Sequence, residues 1–166
     1  MSYELKRLSE TSLDGALKQA VHYRDLNQPE EAESICRDIL DVAPDHQLAL
    51  KTLGLALTDR FAASWNHVFD EAVAAFKKLT SEYERIYYTG VAWERLGKAH
   101  LEQQQAHNAA HAFENALKLF ATAEKISPGS PDPILRWNRC VRALKTHPAL
   151  QEAIREPREP EFEFGD

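Results

Sequence analysis

The chain has 166 residues, 26 acidic and 20 basic, for a formal charge of −6 with histidine neutral. That length can bury a core of its own, and 43% apolar with 28% charged residues is the balance of a globular chain. An acidic balance argues against general nucleic-acid binding, which needs cations to neutralise phosphates. No apolar run approaches the ~20 residues of a membrane span, and residues 1–7 lack the apolar stretch of a signal peptide. Two cysteines, Cys36 and Cys140, cannot build a disulfide framework, so a reducing, cytoplasmic setting is expected.

The periodicity is helical almost throughout, and no stretch alternates apolar and polar residues as a half-buried strand would. A first helix is predicted over 13–26, with Thr11 or Ser12 as its cap. Asn27-Gln28-Pro29 breaks it, and Pro29 followed by Glu30 and Glu31 suits a new helix start. The second helix carries Ala32, Ile35, Cys36, Ile39 and Leu40 on one face and stops at Pro44. A third shows Leu50, Leu53, Gly54 and Leu57. Residues 59–66, with Phe61 and Trp65, then read as a connecting segment before a fourth helix bearing Val68, Phe69, Ala72, Val73, Phe76 and Leu79.

Ser81 and Glu84 form a capping-box pattern ahead of a long fifth helix reaching about residue 105. A sixth is predicted over 108–126. The run Ser127-Pro128-Gly129-Ser130-Pro131-Asp132-Pro133 is a break. A seventh helix follows over 134–145, and residues 156–166 read as an acidic, flexible tail.

A repeat underlies these helices. Trp93-x2-Leu96-Gly97-x2-His100 is followed by Ala109-x3-Phe113-x2-Ala116. Leu50-x2-Leu53-Gly54-x2-Leu57 is continued by Ala72-x3-Phe76-x2-Leu79, with six extra residues in the gap. Ala16-x2-Gln19-Ala20-x2-Tyr23 leads into Ala32-x3-Cys36-x2-Ile39. Small residues let the two helices of a hairpin approach, and large ones fill the space between hairpins. The pattern resembles the tetratricopeptide repeat over residues 13–126.

That resemblance implies an all-α domain over 1–155, a right-handed superhelical array of antiparallel hairpins. Its three hairpins are expected at about 13–43, 47–79 and 82–126, closed by a capping helix at 134–146. The third is expected to be lengthened at both facing ends by about two turns, with Phe120 and Ile126 meeting Ile86 and Gly90 there, the alternative being a kink or break near Gly90.

The function implied is non-catalytic binding of a protein or peptide partner, as an adaptor, assembly factor or scaffold. The first helix of each pair would line a concave groove, offering Arg24, Lys51, Leu55, Thr58, Tyr87, Val91, Glu94, Arg95, Lys98, Trp137 and Asn138. Of the positions with which some members clamp a chaperone's terminal carboxylate, here Leu17, Val21, Thr52, Val91 and Arg95, only Arg95 fits.

Other chemistry is thinly represented. His107 and His111 share a helix face at i,i+4, so a metal sensor or metal-dependent enzyme is the rival reading, although Asn108 stands where a metalloprotease carries Glu. No metal ligand set, cofactor loop or catalytic constellation is otherwise expected. His100 and the two cysteines read as packed residues. Arg136, Arg139, Arg142 and Lys145 make either a solvated capping face or a basic strip for an acidic peptide. Aromatics near Phe61 and Trp65 suggest self-association as a further alternative. Phe162 and Phe164 alternate with acids and suggest that the tail docks on basic helices of its own or a neighbouring copy.

Overall fold

The computed structural model describes residues 3–156, apart from the side chains of residues 64–66. The tail from 157 to 166, with Phe162 and Phe164, and the Trp65 side chain lie outside the described residues. Described residues form a short 3-10 turn, Glu10–Ser12, and eight helices with no strand: α1 Leu13–Asp25, α2 Pro29–Val42, α3 Gln47–Thr58, α4 Phe61–Lys77, α5 Glu82–Glu102, α6 Ala106–Ile126, α7 Asp132–Thr146 and α8 Pro148–Arg155. Among them no helix is long and apolar enough to cross a membrane.

Each helix packs on its neighbours in the chain. In addition α1 touches α3, α3 touches α5, and α5 touches α7, so the odd helices stand side by side. The small-against-large pattern explains the hairpins. A Cβ placed on Gly54 would sit 2.3 Å from the Phe76 ring, and one on Gly97 would sit 3.2 Å from the Phe113 ring. Gly90 meets Phe120 in the same way at 2.7 Å, in the extension shared by α5 and α6, each of which runs unbroken for 21 residues. Phe76, Phe113 and Phe120 are almost wholly buried, worth ~2–3 kcal/mol each by area removed from water.

Two turns use one device. Asn27 and Gln104 take positive φ, 58° and 61°. The next N–H then reaches back five residues, Gln28 to the Tyr23 carbonyl at 2.9 Å and Gln105 to that of His100 at 2.8 Å. This left-handed cap satisfies carbonyls that the helix end leaves open. The α3–α4 turn differs. Arg60 stays right-handed at φ −97°, and α4 begins at once with Phe61.

Three expectations are corrected here. Residues 59–66 are not a connecting segment, because the six extra residues lengthen the start of α4. Phe61 is not an exposed aromatic. It is 1% exposed and packs on Phe69 at 5.9 Å between ring centroids, so it offers no surface for self-association. Residues 147–155 carry no predicted element, and the structure adds one there. Pro148 starts an eighth helix, which buries Leu150 and Ala153 against α6 and α7. At the start of α1 Ser12 holds the N-cap position, but its hydroxyl accepts from no helical N–H and donates instead to the Ser9 carbonyl at 2.8 Å. Ser81 does cap α5, accepting from the Glu84 N–H at 3.2 Å.

Candidate functional site

The seams between odd helices are stitched by charge. Asp59, just past the end of α3, accepts a hydrogen bond from Arg24 Nε of α1 at 2.6 Å and another from Arg95 of α5. Arg95 also donates to Thr58 Oγ1 at 2.6 Å and to the Leu55 carbonyl at 3.4 Å. Burial pulls the Arg95 pKa below its ordinary value, and Asp59 pulls against that. Higher on the same seam Lys51 of α3 donates to Glu84 of α5 and lies over the Tyr88 ring, 5.3 Å from its centroid. Burial opposes the Lys51 charge, yet the hydrogen bond to Glu84 leaves its pKa raised.

Glu94 organises the seam between α5 and α7. Its side chain is fully buried. Lys98 lies 3.0 Å away on the same helix, and Arg136 at 3.0 Å and Arg139 at 3.3 Å come from α7. Oε1 receives no well-directed hydrogen bond, so its charge is held by proximity to Lys98 and Arg139. Burial works against the Arg136 charge, but Glu94 and the Tyr87 hydroxyl hold its pKa above the arginine value.

Arg24, Lys51, Arg95, Lys98, Arg136 and Arg139 form their ion pairs with Asp59, Glu84 and Glu94, six cations on three carboxylates. Cations thus outnumber the carboxylates they pair with along these seams of a chain of net charge −6. A hollow of about 200 Å³ opens beside them, bounded by Thr58, Asp59, Arg95, Lys98 and Glu102 among others. Val21, 43% exposed, and Leu48, 53% exposed, add uncovered apolar surface on α1 and α3.

The structure brings together most of the residues singled out from the sequence, in a different state from the one expected. Arg24, Lys51, Leu55, Thr58, Glu94, Arg95 and Lys98 do converge on these seams. Thr58, Tyr87, Val91 and Glu94 are buried, so they support the face from beneath. Trp137 and Asn138 are exposed, and α7 reaches the Glu94 centre through Arg136 and Arg139 instead. In the sequence those arginines read only as a strip. Asp59 and Glu84 have no local signature there, because their partners lie 33 to 36 residues away.

The remaining candidates have ordinary partners. His107 pairs with Glu156 at 2.7 Å, and His111 touches Asn115 at 3.1 Å and the Trp93 ring edge. Among the described residues no three metal-ligating side chains stand together. His100 is buried, with Nδ1 2.7 Å from Gln105 Oε1. Cys36 and Cys140 are buried free thiols, each pushed up to about 12, chiefly by burial. Such thiols are poor nucleophiles at neutral pH. No protein-family model matches the chain, and no curated protein is significantly similar to it.

Proposed function

We propose that this protein is a non-catalytic binding module of tetratricopeptide type, taking a peptide or helical segment of a protein partner along the face formed by its odd helices. The repeated Gly54–Phe76 and Gly97–Phe113 contacts support a tandem-hairpin reading, and so do the matching turns at Asn27 and Gln104. In that reading the hairpins wind as a right-handed array, and the module acts as an adaptor, assembly factor or scaffold. Two buried free thiols fit a reducing, cytoplasmic setting.

One observation carries the functional reading: six cations gathered over three carboxylates beside the uncovered Val21 and Leu48. Charge of one sign with apolar anchors gives orientation and affinity to an extended ligand. The basic residues themselves are poor probes. Reversing Lys51, Arg95 or Lys98 would set acid against Glu84, Asp59 or Glu94 and would disturb the fold with the surface.

The test therefore uses the exposed apolar residues. A random-peptide library is selected on the full chain, and enriched peptides are titrated against Val21→Asp/Leu48→Asp and, as an outer-face control, Lys118→Glu. We expect at least a tenfold loss in the first variant and no change in the second, with helical circular dichroism preserved in both. No enrichment, or equal loss in the two variants, overturns the proposal.

A further inference from the structure

Two seams between even helices are built on one plan and filled differently. Helices α2 and α4 both pack on α3, and α4 and α6 both pack on α5. Within each trio the even helices pack on the odd helix between them rather than on each other. Leu50 of α3 stands where Trp93 stands in α5, each three residues before the Leu of a Leu-Gly pair. Ala74 of α4 stands where His111 stands in α6, each two residues after the aligned Ala72 and Ala109.

Around Trp93 the seam is full. Its indole meets the Phe69 ring of α4 at 4.8 Å between centroids and the His111 ring of α6 at 6.2 Å, edge on in both cases. Around Leu50 the counterparts of Trp93 and His111 are both small, and a hollow of about 440 Å³ stands there. Leu50, Leu53 and Leu57 of α3 make its floor, and Leu40 of α2 with Ala74 and Ala75 of α4 its walls. Solvent reaches this lining mainly along the half-buried Leu40 and the exposed Ala74. The volume falls in the range of small-molecule sites, ~300–1,000 Å³, and apolar cavities accept aromatic molecules more readily than water.

The rim limits what can enter. Arg37 and Asp41 come from α2, and Glu71 and Lys78 from α4. Arg37 donates to Glu71 across the mouth at 2.7 Å and to Glu33 on its own helix, and those hydrogen bonds hold its pKa above the arginine value. Two cations and two carboxylates leave the rim without net charge, so it gives a charged ligand no advantage.

We propose that this hollow binds a small, neutral, planar aromatic molecule of indole size, seated between α2 and α4 over Leu50 and Leu53 as Trp93 is seated between α4 and α6. The ligand's ring takes the place that an indole fills at the next seam, and its gain is apolar burial against Leu40 and Ala74. The leucine floor lies on a different face of α3 from Lys51 and Leu55, so the site is independent of partner binding along the odd helices.

The test titrates indole itself into the isotopically labelled full chain and follows the backbone amide resonances. We expect saturable shifts centred on Leu40, Leu53, Ala74 and Ala75. Ala74→Phe sets a ring of the protein's own in the hollow from an exposed position and should weaken indole about tenfold or more, with Ala74→Leu weakening it less. Thr122→Phe, on the exposed surface of α6, should leave the affinity unchanged, and melting temperatures show that each variant is folded. Indoleacetate, which adds a carboxylate to the same ring, should bind no more tightly. The absence of saturable shifts overturns the proposal, and so do shifts centred on another seam or an affinity that Ala74→Phe and Thr122→Phe change alike. Tighter binding of indoleacetate than of indole overturns the assignment of a neutral ligand.

Discussion

The two seams between odd helices handle a carboxylate differently. At the α3–α5 seam Asp59 keeps 20% of its side chain exposed and is shared by Arg24 and Arg95 from two helices. At the α5–α7 seam Glu94 has no exposure, three cations around it and one oxygen without a well-directed hydrogen bond. Water can replace a lost partner at Asp59. At Glu94 it cannot, so the docking of α7 depends on charges that α7 itself brings. The difference teaches that the last helix is held by an electrostatic requirement of its neighbour as well as by apolar burial.

Removing the Glu94 partner from α7 is the severest test of that contrast. Arg136→Ala should cost ~2–3 kcal/mol in urea unfolding, because it takes the hydrogen bond from the buried Glu94 Oε2 while Lys98 and Arg139 still face the other oxygen. Glu94→Leu added to Arg136→Ala should recover most of the loss. A cost below ~1 kcal/mol would mean that Glu94 is solvated and that the seams are alike.

The hairpin interiors give a control of intermediate size, separating seam effects from packing. Gly54→Ala places a Cβ 2.3 Å from Phe76 and should cost ~1–3 kcal/mol as overpacking. Gly97→Ala, at 3.2 Å from Phe113, should stay within ~1 kcal/mol of the parent, since the helix-propensity gain of ~1 kcal/mol offsets the crowding. Thermal melts of the pair decide the ranking.

On the more open seam the effects should be smaller. Asp59→Asn leaves two arginines facing each other and should cost ~1–2 kcal/mol. Arg24→Ala leaves Asp59 with Arg95 and should cost less than ~1 kcal/mol. Chemical denaturation of both variants, read beside Arg136→Ala, measures the contrast directly.

The thiols report the same contrast through reaction rates. Cys140 belongs to α7, and Cys36 lies in the first hairpin. A disulfide reagent at neutral pH should label neither in the folded parent, and Arg136→Ala should speed labelling of Cys140 more than that of Cys36. Their folded pKa of about 12 lies above the unfolded value of 9.0. The stability they contribute is therefore fully present below pH 9 and is lost as pH rises toward 12. Cys36→Ala/Cys140→Ala should flatten that alkaline loss, as read from unfolding midpoints across the range.

Much of the fold was legible because it is written in local spacing. Pro29 after Asn27-Gln28 marks a break, Ser81 caps α5, and the small residues Gly54, Gly97 and Ala109 stand in phase with Phe76 and Phe113. Helix α8 was not legible. The eight residues from Pro148 to Arg155 form less helix than is stable alone, and burial of Leu150 and Ala153 against α6 and α7 supplies what local propensity lacks. The start of α4 was hidden for a related reason. Phe61 looks like a loop aromatic until Phe69 and the core enclose it.

By itself, then, the sequence determined an all-helical chain, its breaks and the small-to-large contacts within hairpins, since those depend on residues a few turns apart. Only the tertiary structure decided what the charged residues do. Arg95 finds Asp59 across 36 residues, Lys51 finds Glu84 across 33, and Arg136 finds Glu94 across 42. Such pairs leave no periodic trace, because Coulomb attraction and burial depend on distance in space and on exclusion of water, and neither exists until the helices have docked.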